Sequence, residues 1–313
     1  MKKNYRIIPL KNQGFCFGVK NSVSLLYNAL DNNEYPKPFY LLGDLVHNKY
    51  VSTFFHSKGV TILRGTDKLS LIDKIDNGTI VITAHGASNE IKNKILSKGL
   101  TLLDTTCPIV KKAINNLIDY TNAGYTVLYY GKKQHPETDY ALSCSNKIYL
   151  IENKENDLKN LQTSDKIILA CQTTMSEANI SEMSNRIKDI YPKIINKASC
   201  CHATKVRQEQ LLNVLKTYYK RSDTCLLAIG DKMSNNTQKL LETARTKGQI
   251  TSFLIETASD LNFSTLKKYQ NIIIASGTST PLAIVREVIE VLNHLDTYKN
   301  DTITSALKGE DYI

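Results

Sequence analysis

No window of this 313-residue chain is apolar for long enough to cross a bilayer as a helix. The opening stretch "MKKNYRIIPLKNQGFCFG" has neither the apolar run nor the small-residue cleavage site of a secretion signal, so a cytoplasmic protein with no membrane partner is expected. There is no low-complexity tract and no Pro/Gly-rich linker, and the domains are therefore expected to pack closely. A disulfide framework is also excluded, because the seven cysteines are odd in number and the expected compartment is reducing. The formal charge of +10 is spread thinly over many lysines, with no dense basic block and no RNA-binding signature. Such a charge suits acidic partners such as phosphorylated metabolites or an acidic protein, or a lysine-rich solvated surface; nucleic acid is not the expected partner.

What the chain does contain is a series of short apolar runs, each ending in small or polar residues and followed by a helix-like segment. "TIVIT" runs into "AHGASNEI", "YTVLYY" into "GKKQHPET", and "KIILA" into "CQTTMSEAN". "TCLLAI" runs into "GDKMSNNTQKL" and "NIIIA" into "SGTSTPLAIVREVIEVL". Runs rich in Ile and Val without polar alternation read as strands buried on both faces. Their alternation with helices implies βαβ units, parallel sheets and an α/β fold class. At the carboxyl edge of such a sheet, backbone N–H groups point outward and Ser or Thr caps the next helix. "SGTSTP" supplies a glycine, capping hydroxyls and Pro281 at an expected first helical position. Five junctions of this kind on one chain imply one polar site assembled from several sheets.

Three cysteines stand apart from the other four. Cys16 lies in "GFCFGV", Cys107 in "DTTCPIV" and Cys201 in "CCHAT", at intervals of 91 and 94 residues. Near-equal spacing is what three similar domains give when each presents one cysteine to a common centre. The spacing does not match structural zinc, whose ligands come as close pairs, nor the compact ferredoxin run. It suits an iron–sulfur cluster with one iron lacking a protein ligand, or else buried cysteines in glycine-rich turns. Cys144, Cys171 and Cys225 read as structural, the last two in strand runs, while Cys200 is either structural or the ligand in place of Cys201. His47, His85 and His135 fall in the same junctions, where a diphosphate would find N–H donors and positive charge. His56 and His294 lie in helix-like stretches and are expected to have no role. Glu137, in "HPE", is the one carboxylate beside this set; burial would make it a proton donor, exposure a plain surface Glu at a helix start.

Taken together, "GFCFGVK", "LGDLVHN", "AHGAS", "DTTCPIV", "HPE", "QTT", "ATKVRQ", "SNNTQKL" and "SGTSTP" resemble, in order and spacing, the 4-hydroxy-3-methylbut-2-enyl diphosphate reductase family, from residue 14 to about residue 290. The resemblance implies a trefoil of three similar small α/β domains with parallel sheets around a central 4Fe-4S cluster held by Cys16, Cys107 and Cys201. With the junctions it sets expected spans of 1–106, 107–198 and 199–313. It implies that the apical iron takes the substrate's hydroxyl, which leaves as water to give isopentenyl and dimethylallyl diphosphate. By motif match, His47, His85 and His135 line the diphosphate and hydroxyl pocket, Ser234, Asn235, Asn236 and Ser279 serve the diphosphate, Thr173 orders the hydroxyl, and Glu137 with His135 handles the proton. Because the chain has no flavin or dinucleotide motif of its own, reduced ferredoxin or flavodoxin is the expected electron donor.

The chain departs from the family pattern in four places. Cys200 and His202 flank the third cysteine, Val206 replaces an Asn before "RQ", Asn235 replaces a serine of the phosphate loop, and Asp139 and Tyr140 stand where glycines are usual. None removes a ligand or the acid; they bear on substrate range and rate. Two other classes compete: an iron–sulfur hydro-lyase or reductase acting on another allylic or phosphorylated substrate, and a non-enzymatic cluster-based redox sensor. A hydro-lyase would need no external electrons, and a sensor has no use for Glu137 or the phosphate set.

Overall fold

The computed structural model describes residues 5–152, 166–294 and 304–313. The five apolar runs are all strands: β4 (Thr79–Ile82), β6 (Thr126–Tyr130), β8 (Ile167–Cys171), β10 (Thr224–Ile229) and β12 (Asn271–Ser276). Every residue of β4, β6, β8 and β10 is buried, as continuous apolar runs demand of strands covered on both faces. Seven further strands complete the sheets: β1 (Arg6–Pro9), β2 (Phe39–Leu42), β3 (Val60–Leu63), β5 (Thr101–Asp104), β7 (Ile148–Ile151), β9 (Ile195–Asn196) and β11 (Thr251–Ile255). They are two to five residues long, and most keep exposed or half-buried positions that blur the apolar signal.

The described strands pair in three four-stranded sheets, parallel throughout, in the orders β3-β2-β4-β5, β7-β6-β8-β9 and β11-β10-β12-β1. The first two follow one scheme: second, first, third, fourth in chain order. The last follows it too, with its fourth place taken by the N-terminal strand β1, in register with β12 from Arg6 opposite Asn271. The first of the expected spans thus gives its opening strand to the sheet of the last. In each sheet the strand order reverses between the first and third strands, a topological switch point whose carboxyl end opens into a crevice.

The chain divides into two compact units: one joins residues up to Lys20, His47–Phe54 and His202–Ile313, the other Asn21–Val46 and Phe55–Cys201. In the first, alternate residues of β10 and β12 face two cores. Leu227, Ile229, Ile272 and Ile274 pack under the helix Leu282–Asn293, and Leu226, Ala228, Ile273 and Ala275 pack against Leu211 and Leu215 of the helix His202–Thr217. In the second unit the sheet of β6 and β8 is covered likewise: Leu128 and Leu169 meet Ile180 and Met183, while Val127 and Ala170 meet Ile114 and Leu117.

The expected caps are present. Ser88, Ser176 and Ser234 accept N–H bonds from Ile91, Asn179 and Thr237. Pro281 is placed one residue earlier than expected. Its extended ψ of 139° makes it the cap, and the helix begins at Leu282. No helix among the described residues is long and apolar enough to cross a membrane.

Leu128 has no exposed surface, so Leu128→Ala is expected to cost about 2–5 kcal/mol by denaturant unfolding of the apo protein. Tyr149→Ala, at a position 37% exposed on the neighbouring strand, should cost less than about 1 kcal/mol.

Candidate active site

The sheet scheme sorts the candidate residues by chemistry. Each of the three singled-out cysteines follows the fourth strand of a sheet and stands immediately before a helix. Cys16 lies between β1 and the helix Phe17–Ala29, Cys107 between β5 and the helix Pro108–Asn122, and Cys201 between β9 and the helix His202–Thr217. The other candidates follow a first or third strand, at the switch points: His47 after β2, His85 after β4, His135 and Glu137 after β6, Thr173 after β8, Ser234, Asn235 and Asn236 after β10, and Ser279 after β12. Helix starts leave unsatisfied N–H groups and a partial positive charge, a setting that suits thiolates and phosphate oxygens.

In the second unit the candidates form one connected chain. The Cys107 N–H donates to the Ala84 carbonyl at 2.9 Å, which ties that cysteine to the residue before His85. The rings of His85 and His135 meet edge to face, with centroids 5.2 Å apart. Nδ1 of His135 caps its helix by accepting the Glu137 N–H at 3.2 Å, so a neutral ring carries its proton on Nε2. Glu137 is 2% exposed, and its two carboxylate oxygens accept from Thr173: Oε1 from the backbone N–H at 2.7 Å and Oε2 from the hydroxyl at 3.0 Å. Burial pushes this carboxyl up to about 7, against the lowering effect of the Thr173 donors. The Thr173 carbonyl in turn accepts the Cys201 N–H at 2.8 Å.

Cys107 is half-buried and its thiol is raised. Burial is the first cause, opposed by the N–H groups of Val110 and Ile109 on its sulfur and reinforced by the charges of Cys201 and Glu137. Cys201 and Glu137 therefore each lie within electrostatic reach of Cys107. The competing Cys200 packs against the core of Leu169, Cys171 and Ile180. Cys171 and Cys225, in their strands, are buried thiols raised by desolvation, Cys225 to about 12.

In the first unit, Cys16 receives the Val19 N–H on its sulfur at 3.5 Å and donates its own N–H to the Thr278 carbonyl at 3.0 Å, next to Ser279. The Ser279 hydroxyl donates to the His47 carbonyl at 2.9 Å. Ser234 accepts the Thr237 N–H at 3.3 Å while retaining its own hydroxyl proton, and the Asn236 amide donates to Thr204 at 2.8 Å. Gly277 is required here because a Cβ would sit 2.1 Å from Thr237 Oγ1.

Two features were not anticipated from sequence. Arg207, 4% exposed, donates to the carbonyls of Ser276 and Gly14, and so braces the start of the Cys16 loop against the end of β12. The available signal was a cation on the apolar stripe of its helix, which also carries Leu211 and Leu215. The second is Tyr140, one of the departures from the family. Its ring lies where a Cβ on Gly86, which holds a φ of +85°, would come within 2.5 Å, so the tyrosine packs directly on the His85 loop. Its hydroxyl accepts from Lys92 at 3.4 Å. Lys92 pairs with Asp104 at 3.0 Å, and Asp104 also accepts the Thr106 N–H beside Cys107. Asp139 is exposed and His202 points to solvent, so neither crowds these residues.

Comparison with known proteins gives a consistent result. The family model described as LytB protein matches residues 7–293. A 4-hydroxy-3-methylbut-2-enyl diphosphate reductase of Bacillus mycoides is 36% identical over 93% of this chain and 91% of its own length. One of the same name from Bacillus subtilis is 34% identical over 96% and 94%. Among solved structures, the E-1-hydroxy-2-methyl-but-2-enyl-4-diphosphate reductase of Plasmodium falciparum superposes with a TM-score of 0.82 over 97% of this chain and 93% of its own, and at 24% identity supports the fold. A second, described as the terminal enzyme of the non-mevalonate pathway, is 28% identical over 92% of this chain and 99% of its own, with a TM-score of 0.64.

Accessibility sets the two strand cysteines, Cys171 and Cys225, apart from the five half-buried ones. In the cluster-free protein, iodoacetamide is expected to modify Cys16, Cys107 and Cys201 at least tenfold faster than buried Cys171 and Cys225, read by peptide mass spectrometry. Equal rates would contradict the assignment of the two groups.

Proposed function

The chain belongs to the LytB protein family, and from that premise we propose that it is an oxidoreductase that removes the hydroxyl of 4-hydroxy-3-methylbut-2-enyl diphosphate as water, yielding isopentenyl and dimethylallyl diphosphate. The reaction takes up two electrons and two protons. The observation that carries the reading is Glu137: a buried carboxyl that titrates near neutrality, held by Thr173, whose carbonyl takes the N–H of Cys201. A carboxyl in that state is protonated in a large share of molecules at neutral pH and can give its proton to a leaving hydroxyl.

An iron–sulfur cluster fits the donor set. Cys16, Cys107 and Cys201 are half-buried thiols outside any disulfide, at helix starts, and N–H groups reach the sulfurs of Cys16 and Cys107. The charge of Cys201 also raises the cost of ionising Cys107, a cost that a bound metal centre relieves. When bound through these three thiolates, a 4Fe-4S cluster supplies a Lewis-acidic iron without a protein ligand and passes on two electrons from reduced ferredoxin or flavodoxin.

The chain's own residues do the rest. The N-terminus of the helix Asn235–Thr243, with Ser234, Asn235 and Asn236, offers donors to the diphosphate. Ser279 joins them by turning its proton from the His47 carbonyl to a phosphate oxygen. The Nε2–H of His135, with His85 and His47, adds donors near the diphosphate and the hydroxyl. Thr173 keeps its hydroxyl proton on Glu137 while Glu137 is ionised, and orients the substrate hydroxyl when Glu137 is protonated. Since the diphosphate does not react, its binding energy serves to position the allylic carbon.

The test is anaerobic turnover of the reconstituted protein with reduced methyl viologen, read by product analysis. Glu137→Gln is expected to lower turnover by at least about 10²-fold while sparing iron and sulfide content. Turnover without consumption of reductant would favour the hydro-lyase instead. A stability measurement isolates the same group. The raised carboxyl keeps its proton up to about pH 7 in the folded chain but loses it near its ordinary value when unfolded, so folding weakens as pH rises through that window. The apo wild type should therefore lose about 3 kcal/mol relative to Glu137→Gln between pH 4.5 and pH 8, by denaturant unfolding.

A further inference from the structure

Each turnover of the proposed reaction consumes two protons: one leaves with the hydroxyl oxygen as water and the other forms a C–H bond on the allyl unit. The two electrons come from the external one-electron carrier. An acid as deeply buried as Glu137 must be reprotonated every cycle, and a substrate pocket that excludes water is a poor route for reloading it.

A cavity of about 70 Å³ reaches Glu137 within the second unit, bordered by the helix Pro108–Asn122, the end of β8 and residues 197–199. Its lining changes along its length. Glu137, Tyr129 and Ala170 are buried, Tyr120 is half-buried, and Asn116 and Lys197 are exposed. At roughly 10–15 Å³ per water the cavity has room for several molecules, and its tyrosine and asparagine groups can both donate and accept hydrogen bonds. The Tyr129 hydroxyl is raised first by burial and next by the charge of Glu137, which puts it within electrostatic reach of the acid. Apart from Glu137, none of the residues proposed to touch substrate or cluster lines this space.

We propose that this cavity is the proton-entry path of the enzyme, in which Tyr129 and Tyr120 position a file of water that reloads Glu137 from solvent. The proposal rests on Glu137 being the acid.

Two variants test it in the reconstituted enzyme. Ala113→Leu fills the cavity from the helix that lines it, and Tyr129→Phe removes a hydroxyl with little change of volume. Each is expected to lower kcat by roughly tenfold at unchanged KM and unchanged iron and sulfide content, to raise the solvent deuterium isotope effect, and to recover rate on addition of imidazole as a small diffusible acid. Unchanged kcat in both variants would overturn the path. So would a loss that imidazole does not restore and that leaves the isotope effect at the wild-type value, since that is the signature of a packing defect. Glu137→Gln separates this from the underlying reading: full activity there removes the acid itself, whereas its loss beside two unaffected cavity variants removes the path alone.

Discussion

A carboxyl as buried as Glu137 must be held by donors of the protein, and among the described residues Thr173 does the holding. Thr173 gives both its N–H and its hydroxyl to Glu137, and its carbonyl takes the N–H of Cys201. The proposed acid and a cysteine proposed to bind metal are thus fixed to the same residue just after β8. Moving one moves the other, so the proposed acid and the proposed metal ligand are held in register through Thr173. The balance of burial against two donors leaves the carboxyl near neutrality. A fully apolar pocket would lock the proton on, and a third donor would strip it off.

The rest of the fold serves to bring such strand ends into use. Three sheets repeat one strand order, and each assigns its positions the same way: the fourth strand delivers a cysteine to a helix start, and the first and third deliver polar groups at the switch point. Parallel strands make this economical, because every carboxyl end faces one edge and every following helix presents its N–H groups there. The cavity beside Glu137 belongs to the same logic. A helix packed on the sheet of β6 and β8 leaves one narrow space along its flank, bounded by Tyr120 and Tyr129.

Much of this was legible in the residues. The five continuous Ile/Val-rich runs gave their strands, since burial on both faces leaves no polar alternation to misread. The near-equal cysteine intervals reflect the sheet repeat. Less could be read where a residue acts through a distant partner. β1 looks like an isolated N-terminal segment, and only its pairing with β12 reveals that it completes the sheet of the C-terminal strands. The state of Glu137 depends on Thr173, 36 residues away in sequence. Tyr140, a departure when read against the family pattern, is a packing partner of Gly86, and neither residue announces the other. Cys200 and Cys201 are adjacent in sequence but differ in surroundings. Both lie in the segment between β9 and the helix His202–Thr217, where Cys200 meets the core of β8 and Cys201 lies within electrostatic reach of Cys107.

The central claim is that Cys16, Cys107 and Cys201 hold one cluster with an iron free for substrate. Mössbauer spectroscopy of the anaerobically reconstituted protein, compared with Cys200→Ser and Cys201→Ser, addresses it most directly. The account predicts one four-iron cluster per chain with one iron distinct from the other three, retained in Cys200→Ser and lost or depleted in Cys201→Ser. A cluster that survives Cys201→Ser and disappears in Cys200→Ser, or four equivalent thiolate-bound irons, would contradict it.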